Sequence, residues 1–164
     1  MDYTNQQSSD LRSIEDCAKR YGRGVDRLDS ELMKSAYWAE ARDDHGTYVG
    51  PAWPFVDHCM ASHRRWRSTS HCIYNHSVDL DEDGHYARGE IYNITYLFHK
   101  EDDGLDTWHG RYLDRYEKRG LEWRIIDRVC IHEGTHTQKT TPMRIAVEKF
   151  RQGDFDRNAP LALS

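Results

Sequence analysis

The sequence predicts an α+β fold: a strongly curved antiparallel sheet wrapped around N-terminal helices to make a cone-shaped α+β barrel. Three observations carry this. In the first third of the chain, apolar residues recur at spacings of three and four, the mark of helices with one buried face. From His71 onward the pattern becomes long alternating runs rich in Tyr, Ile and Thr, which suit strands. Those runs are joined by short turns, two of them acidic and ending in glycine, which link neighbouring strands antiparallel.

The elements follow in order. Residues 1–10 are polar and read as a flexible lead. Leu11, Ile14, Cys17, Ala18, Tyr21 and Val25 share one face of a first helix, and Gly22 and Gly24 loosen its last turn. Asp26 then falls at or just past the helix end. A second helix is expected over Asp29–Tyr37, with Leu32, Met33 and Ala36 inward, and Asp43–Pro51 reads as a short strand and turn. A third helix spans Ala52–Arg67, with Trp53, Val56, Met60 and, at the same spacing, His63 on one side and Pro54 in its first turn. Strands follow at His71–Leu80, His85–His99, Trp108–Lys118 and Leu121–His132, with turns at Asp81–Gly84, Glu101–Gly104 and Arg119-Gly120. Pro142–Phe150 suits a short helix, and Gly153–Ser164 reads as a tail. The expected organisation is one domain over residues 11–140, preceded by the lead and followed by a C-terminal helix and tail over 141–164. Helices laid over the concave side of a bent sheet leave a conical pocket suited to a small ligand.

Composition removes several classes of function. Aromatic residues make up 12% of the 164 residues, too many for a disordered chain. The net charge is −5 and no long basic run exists, so no nucleic-acid partner is expected. No apolar run approaches the roughly 18 residues of a membrane span, and Met1–Ser9 has no apolar signal-like segment, so a cytoplasmic protein is expected. The four cysteines form no C-x-x-C pair, which removes zinc ribbons and thioredoxin-type chemistry. His132-Glu-Gly-Thr-His136 spells the zinc-protease string, but that string works only on a helix, where both histidines share a face. Here it runs out of a strand and contains Gly134. No metal is therefore expected, and His132 is read as a pocket-wall residue. Tyr48, Trp53, Trp66, Tyr74, Tyr92, Tyr96, Trp108 and Tyr112 outnumber what a small core needs, and buried hydroxyls need partners. A polar, aromatic pocket is the expected use for them.

The element order, with Asp26 ending the first helix and His71 opening the first long strand, resembles the SnoaL-like branch of the nuclear transport factor 2-like superfamily. It is most similar to the subgroup of gamma-hexachlorocyclohexane dehydrochlorinase and scytalone dehydratase, over roughly Leu11 to Thr137. The resemblance implies an Asp26–His71 dyad acting as a base. Trp123 followed five residues later by Arg128 matches the arginine that lies near the leaving group, and Tyr112-Leu-Asp114-Arg-Tyr116 matches an acidic motif on the preceding strand. One departure matters: the dehydrochlorinase pattern has lysine five residues before the dyad aspartate, and here that residue is Tyr21. A phenol in place of a chloride-stabilising ammonium turns the expectation from dehalogenation toward an oxygenated substrate. The resemblance also implies a homo-oligomer, a trimer over a dimer.

The expected chemistry is cofactor-free elimination. His71 takes a proton from carbon or from a phenol, and Asp26 fixes its tautomer and stabilises the imidazolium. Arg128, with Tyr21 or Tyr48, stabilises the developing negative charge. Catalytic roles thus fall to Asp26, His71 and Arg128, and substrate binding to Tyr21, Tyr48, Trp53, Tyr92, Tyr112 and His132. The substrate is a small aromatic or polycyclic compound, losing water or, in a lignin-derived aryl-propanoid, formaldehyde. The other functions compatible with the sequence are a polyketide or steroid isomerase or cyclase using the same dyad, and a non-catalytic ligand-binding or assembly domain.

Overall fold

The computed structural model describes residues 2–150, 153 and 155. Helix α1 runs Asn5–Asp26 and α2 Ser30–Lys34. Strands β1 (Tyr37–Asp44) and β2 (Val49–Pro51) follow, then α3 (Ala52–Ser62) and a short 3-10 turn over His63–Arg65. Four long strands complete the sheet: β3 (Trp66–Leu80), β4 (Tyr86–His99), β5 (Gly104–Arg119) and β6 (Glu122–Lys139). The sheet order is β2-β1-β6-β5-β4-β3, antiparallel throughout except where β1 lies parallel to β6. The sheet is curled rather than closed, and the helices fill its concave side. The fold is the α+β arrangement the sequence predicts.

The lead expected over residues 1–10 is corrected. Helix α1 begins at Asn5 behind a reciprocal cap, in which Thr4 accepts from the Gln7 backbone and the Gln7 side chain accepts from the Thr4 backbone. Asp10 is buried and bonded to Trp123 Nε1 at 2.9 Å and to Lys118 Nζ at 2.8 Å. Those partners lie on β5 and β6, so the first helical turns are tied to the sheet. Polar composition near a terminus hid this, because one carboxylate makes the attachment.

The join between α1 and α2 sets the position of Asp26. Leu28 takes a left-handed backbone conformation, φ 51°, which turns the chain sharply. Asp29 caps α2 by accepting from the Leu32 backbone at 3.1 Å, which leaves Asp26 for other partners. Gly24 lets the two helices touch: a Cβ there would fall 2.6 Å from the Met33 backbone nitrogen. The second helix is shorter than expected, because from Tyr37 the chain is already the strand β1, whose pairing partner β6 lies far along the sequence. The third helix also ends early, at Ser62, and the first long strand starts at Trp66. At the C-terminus only Val147–Lys149 forms a 3-10 turn within the expected 142–150 helix; apart from Gly153 and Phe155, the expected tail lies outside the described residues. No described helix is long and apolar enough to cross a membrane.

Candidate active site

Asp26 sits at the last position of α1, facing the first half of β3. Its carboxylate accepts three hydrogen bonds: the Thr69 hydroxyl at 2.7 Å, the His71 backbone N–H at 2.8 Å, and His71 Nδ1 at 2.6 Å. An ionised carboxylate only accepts, so Nδ1 carries the imidazole proton and Nε2 is left with its lone pair. The His71 side chain is 7% exposed. Its ring divides two spaces. On one side a polar groove between α1 and β3, lined also by Lys19, Arg23 and Arg27, reaches Asp26. On the other is a cavity of about 250 Å³ walled by aromatic side chains, with His71 in its lining. The outer groove is the larger, at about 470 Å³. The rings of Tyr21, Tyr48, Phe55, Trp108 and Tyr112 wall the cavity beside the His71 imidazole, which suits it to an aromatic ligand.

The cavity brings together several predicted residues. Tyr21, Tyr48 and Tyr112 line it. The Tyr21 ring stands edge-on to His71, with centroids 6.3 Å apart, and edge-on to Tyr112 at 5.5 Å. Burial pushes the Tyr21 hydroxyl well above its usual range, so it stays a protonated donor. Burial likewise raises Tyr112. Tyr48 contributes its ring, because its hydroxyl is spent on the Pro51 carbonyl at 2.8 Å.

Four predicted residues lie elsewhere. Arg128 is wholly buried one layer beneath the wall, held by Asp114 through two bonds of 2.7 Å. Its guanidinium lies 4.3 Å from the Tyr21 ring and 4.2 Å from the Tyr112 ring. It meets the cavity wall through those two rings, as a cation against their π faces. Trp53 points outward from α3 beneath Lys34 Nζ. Tyr92 is 48% exposed on the outer face of β4, where it meets the Arg111 guanidinium. Its neighbours Ile91 and Asn93 take the inward positions, and strand alternation sends Tyr92 the other way. His132 is exposed and lies tilted against Trp108, with centroids 4.7 Å apart, outside the cavity lining. His132 and His136 lie on β6, not on a helix, and no group of three ligating side chains among the described residues is placed to hold a metal ion.

Three histidines of the cavity were not expected: His45, His58 and His63. His45 follows β1, and its Nδ1 hydrogen-bonds the buried Asp43 carboxylate, which also accepts from the Tyr37 hydroxyl at 2.7 Å. His45 Nε2 lies 3.2 Å from the Tyr21 hydroxyl, and the ring stacks on Phe55 at 4.2 Å. The available signal was the Asp43-x-His45 spacing, which puts both side chains on one face of an extended chain. His63 lies 5.8 Å from His71 between ring centroids and gives its Nδ1 proton to the Cys59 carbonyl at 3.1 Å. Burial, and then the neighbouring His71, push its pKa down to about 4. The cavity thiols Cys59 and Cys130 are pushed up to about 12 by burial, so neither is a thiolate nucleophile near neutral pH. The arrangement offers two carboxylate-held imidazoles, His71 on Asp26 and His45 on Asp43, a neutral acceptor in His63, and phenol donors facing the same small space.

Comparison with known proteins agrees with the architecture. A candidate scytalone dehydratase of Novosphingobium aromaticivorans superposes with a TM-score of 0.73 at 16% identity, over 88% of this chain and 99% of that one. A hexachlorocyclohexane dehydrochlorinase of Novosphingobium barchaimii gives 0.74 at 14% identity, over 84% and 98%. A nuclear transport factor 2-like superfamily protein of Salmonella enterica gives 0.67 at 16%, over 78% and 94%. At such identities the likeness is one of fold. No curated protein matches the chain in sequence. The SnoaL-like domain model matches residues 6–129, from the first turn of α1 into β6, and the chain thus belongs to the SnoaL-like family.

Proposed function

We propose that this protein is a cofactor-independent lyase in which His71, held by Asp26, removes a proton from a small aromatic substrate to start an elimination. One observation carries the reading: the 2.6 Å contact from His71 Nδ1 to Asp26, which leaves Nε2 for an aromatic-walled cavity. The Asp26 carboxylate, itself held by Thr69 and the His71 backbone, orients the ring and stabilises the imidazolium that forms. Dehydration is the default reaction, and loss of formaldehyde from a lignin-derived aryl-propanoid is its close variant, since the same base deprotonates a phenol. The names of two fold relatives, a dehydratase and a dehydrochlorinase, denote loss of water and of hydrogen chloride. Tyr21, where a lysine would favour halide departure, supports an oxygen leaving group. A cavity of about 250 Å³ holds one aromatic ring with a short side chain.

The test uses 5-nitrobenzisoxazole, an aromatic probe whose ring opens on removal of one carbon-bound proton. Wild-type protein opens it, and His71→Ala lowers kcat/KM by at least about 100-fold with folding intact, the usual worth of a positioned base. Asp26→Asn falls in the same direction. Undiminished turnover in His71→Ala sinks the proposal. Absence of any small-molecule turnover, with partner binding that depends on the outer sheet face, would support an assembly domain instead.

A further inference from the structure

We propose that Asp43, His45 and Tyr21 form a second proton line into the same cavity, one that protonates the departing oxygen while His71 takes the proton from carbon. The inference rests on the elimination reading and adds the acid that reading lacks.

The geometry that points to it is a continuous chain of bonds. The Asp43 side chain is fully buried, and its two oxygens are taken by the Tyr37 hydroxyl and by His45 Nδ1. A histidine needed only to satisfy that carboxylate would be finished with one nitrogen. Here the second nitrogen, Nε2, meets the Tyr21 hydroxyl at 3.2 Å, and Tyr21 and His45 both line the cavity. The imidazole is held in place from every side: Phe55 of α3 stacks on it at 4.2 Å, Tyr112 of β5 lies 5.8 Å away, and Tyr21 of α1 lies at 6.4 Å. Arg128, 4.3 Å from the Tyr21 ring, polarises the phenol as a donor. The Tyr21 and His71 rings stand edge-on with centroids 6.3 Å apart and both line the cavity, so a substrate seated there is within reach of both side chains.

The step balances. The line begins with His45 as imidazolium, its Nδ1–H on Asp43 and its Nε2–H on the Tyr21 oxygen, so that the Tyr21 O–H points to the leaving hydroxyl. The substrate C–H bond breaks with its proton passing to His71 Nε2, and the electron pair forms the new double bond. The C–O bond breaks, the departing oxygen takes the Tyr21 proton, and Tyr21 takes the Nε2 proton of His45. Water and alkene leave a neutral His45 and a protonated His71. One proton given up to solvent by His71 and one taken back by His45 reset the site.

The test is a matched pair of substrates: the β-hydroxyketone that dehydrates to benzylideneacetone, and its acetate ester, whose leaving group departs without a proton. His45→Asn keeps a donor at the Nδ1 position for Asp43 and removes Nε2. It is expected to lower kcat on the alcohol by about 100-fold or more and on the acetate by less than about threefold. Tyr21→Phe shows the same split, and His71→Ala slows both substrates alike. Equal losses on the two substrates in His45→Asn, or none on either, overturn the proposal. If wild-type protein converts neither ketone, the elimination reading is at fault, and nitrogen NMR of histidine-labelled protein still decides the link. Tyr21→Phe then shifts the His45 Nε2 resonance and leaves His63 in place, and an unmoved His45 resonance overturns the proton line.

Discussion

His63 gives the protein an acid-side instability that can be calculated and removed. Its pKa falls from an ordinary 6.5 to about 4, first through burial and then through the neighbouring His71. A base with a depressed folded pKa binds protons less well in the folded state. The unfolded chain therefore gains protons first as pH falls, and stability drops from about pH 6.5 down to about pH 4, below which the loss is constant. At pH 5 the unfolded histidine lies about 1.5 pH units below its pKa, which corresponds to about 2 kcal/mol at 1.36 kcal/mol per unit. The ring borders a cavity with an open mouth, and solvent screening reduces this to about 1–2 kcal/mol. His63→Asn keeps a donor for the Cys59 carbonyl and has nothing to titrate. Urea denaturation of both proteins between pH 7 and pH 5 checks the reasoning: the wild type loses about 1–2 kcal/mol more than the variant over that interval. Parallel stability curves would refute it, because every other titrating group is shared.

Three further outcomes are expected. Gly24→Ala forces α1 and α2 apart, because the new methyl would sit 2.6 Å from the Met33 nitrogen, and urea unfolding should show a loss of about 1–3 kcal/mol. Arg128→Met leaves the buried Asp114 carboxylate without its bidentate partner, and the same assay should show about 3–5 kcal/mol lost, largely restored by adding Asp114→Leu. Thr69→Val takes one of three hydrogen bonds from Asp26, and kcat for opening 5-nitrobenzisoxazole should fall by up to about tenfold with KM unchanged, since about 1 kcal/mol of alignment is lost.

What the chain discloses about itself follows the range of the forces involved. Local periodicity is enough to find α1 and the meander β3 to β6, because each of those elements shows its buried face in its own residues. Strand β1 escapes that reading: Tyr37 and Asp43 are buried on one side, but the run is short, carries a register shift, and is stabilised by a strand from the other end of the chain. Asp10 escapes for the same reason, since its partners Lys118 and Trp123 lie on β5 and β6. Within the cavity, Tyr21 and Tyr112 could be found from helix face and strand parity. The same parity, applied to β4, sends Tyr92 outward beside the inward Ile91 and Asn93. Arg128 needed more: its pairing with Asp114 is legible as a cross-strand neighbour, but its depth below the tyrosine rings depends on how sharply the sheet curls. His45 went unread because its role depends on Tyr21, a residue on another element that only the folded chain brings near.

The parallel pairing of β1 with β6 also bears on how the protein comes to be made. Strand β6 is the last to leave the ribosome, and until it arrives β1 has no inner neighbour and Trp123 cannot cover Asp10. Contacts that span most of the chain slow the search for the native state, because the connecting loop must be closed before they repay its entropy. The Asp43–His45 side of the cavity rides on β1, so it takes shape only when the sheet is complete. Nascent chains halted before residue 122 should therefore carry exposed apolar helix faces and lack the β6 wall of the cavity, and such faces are prone to aggregate until the sheet is complete.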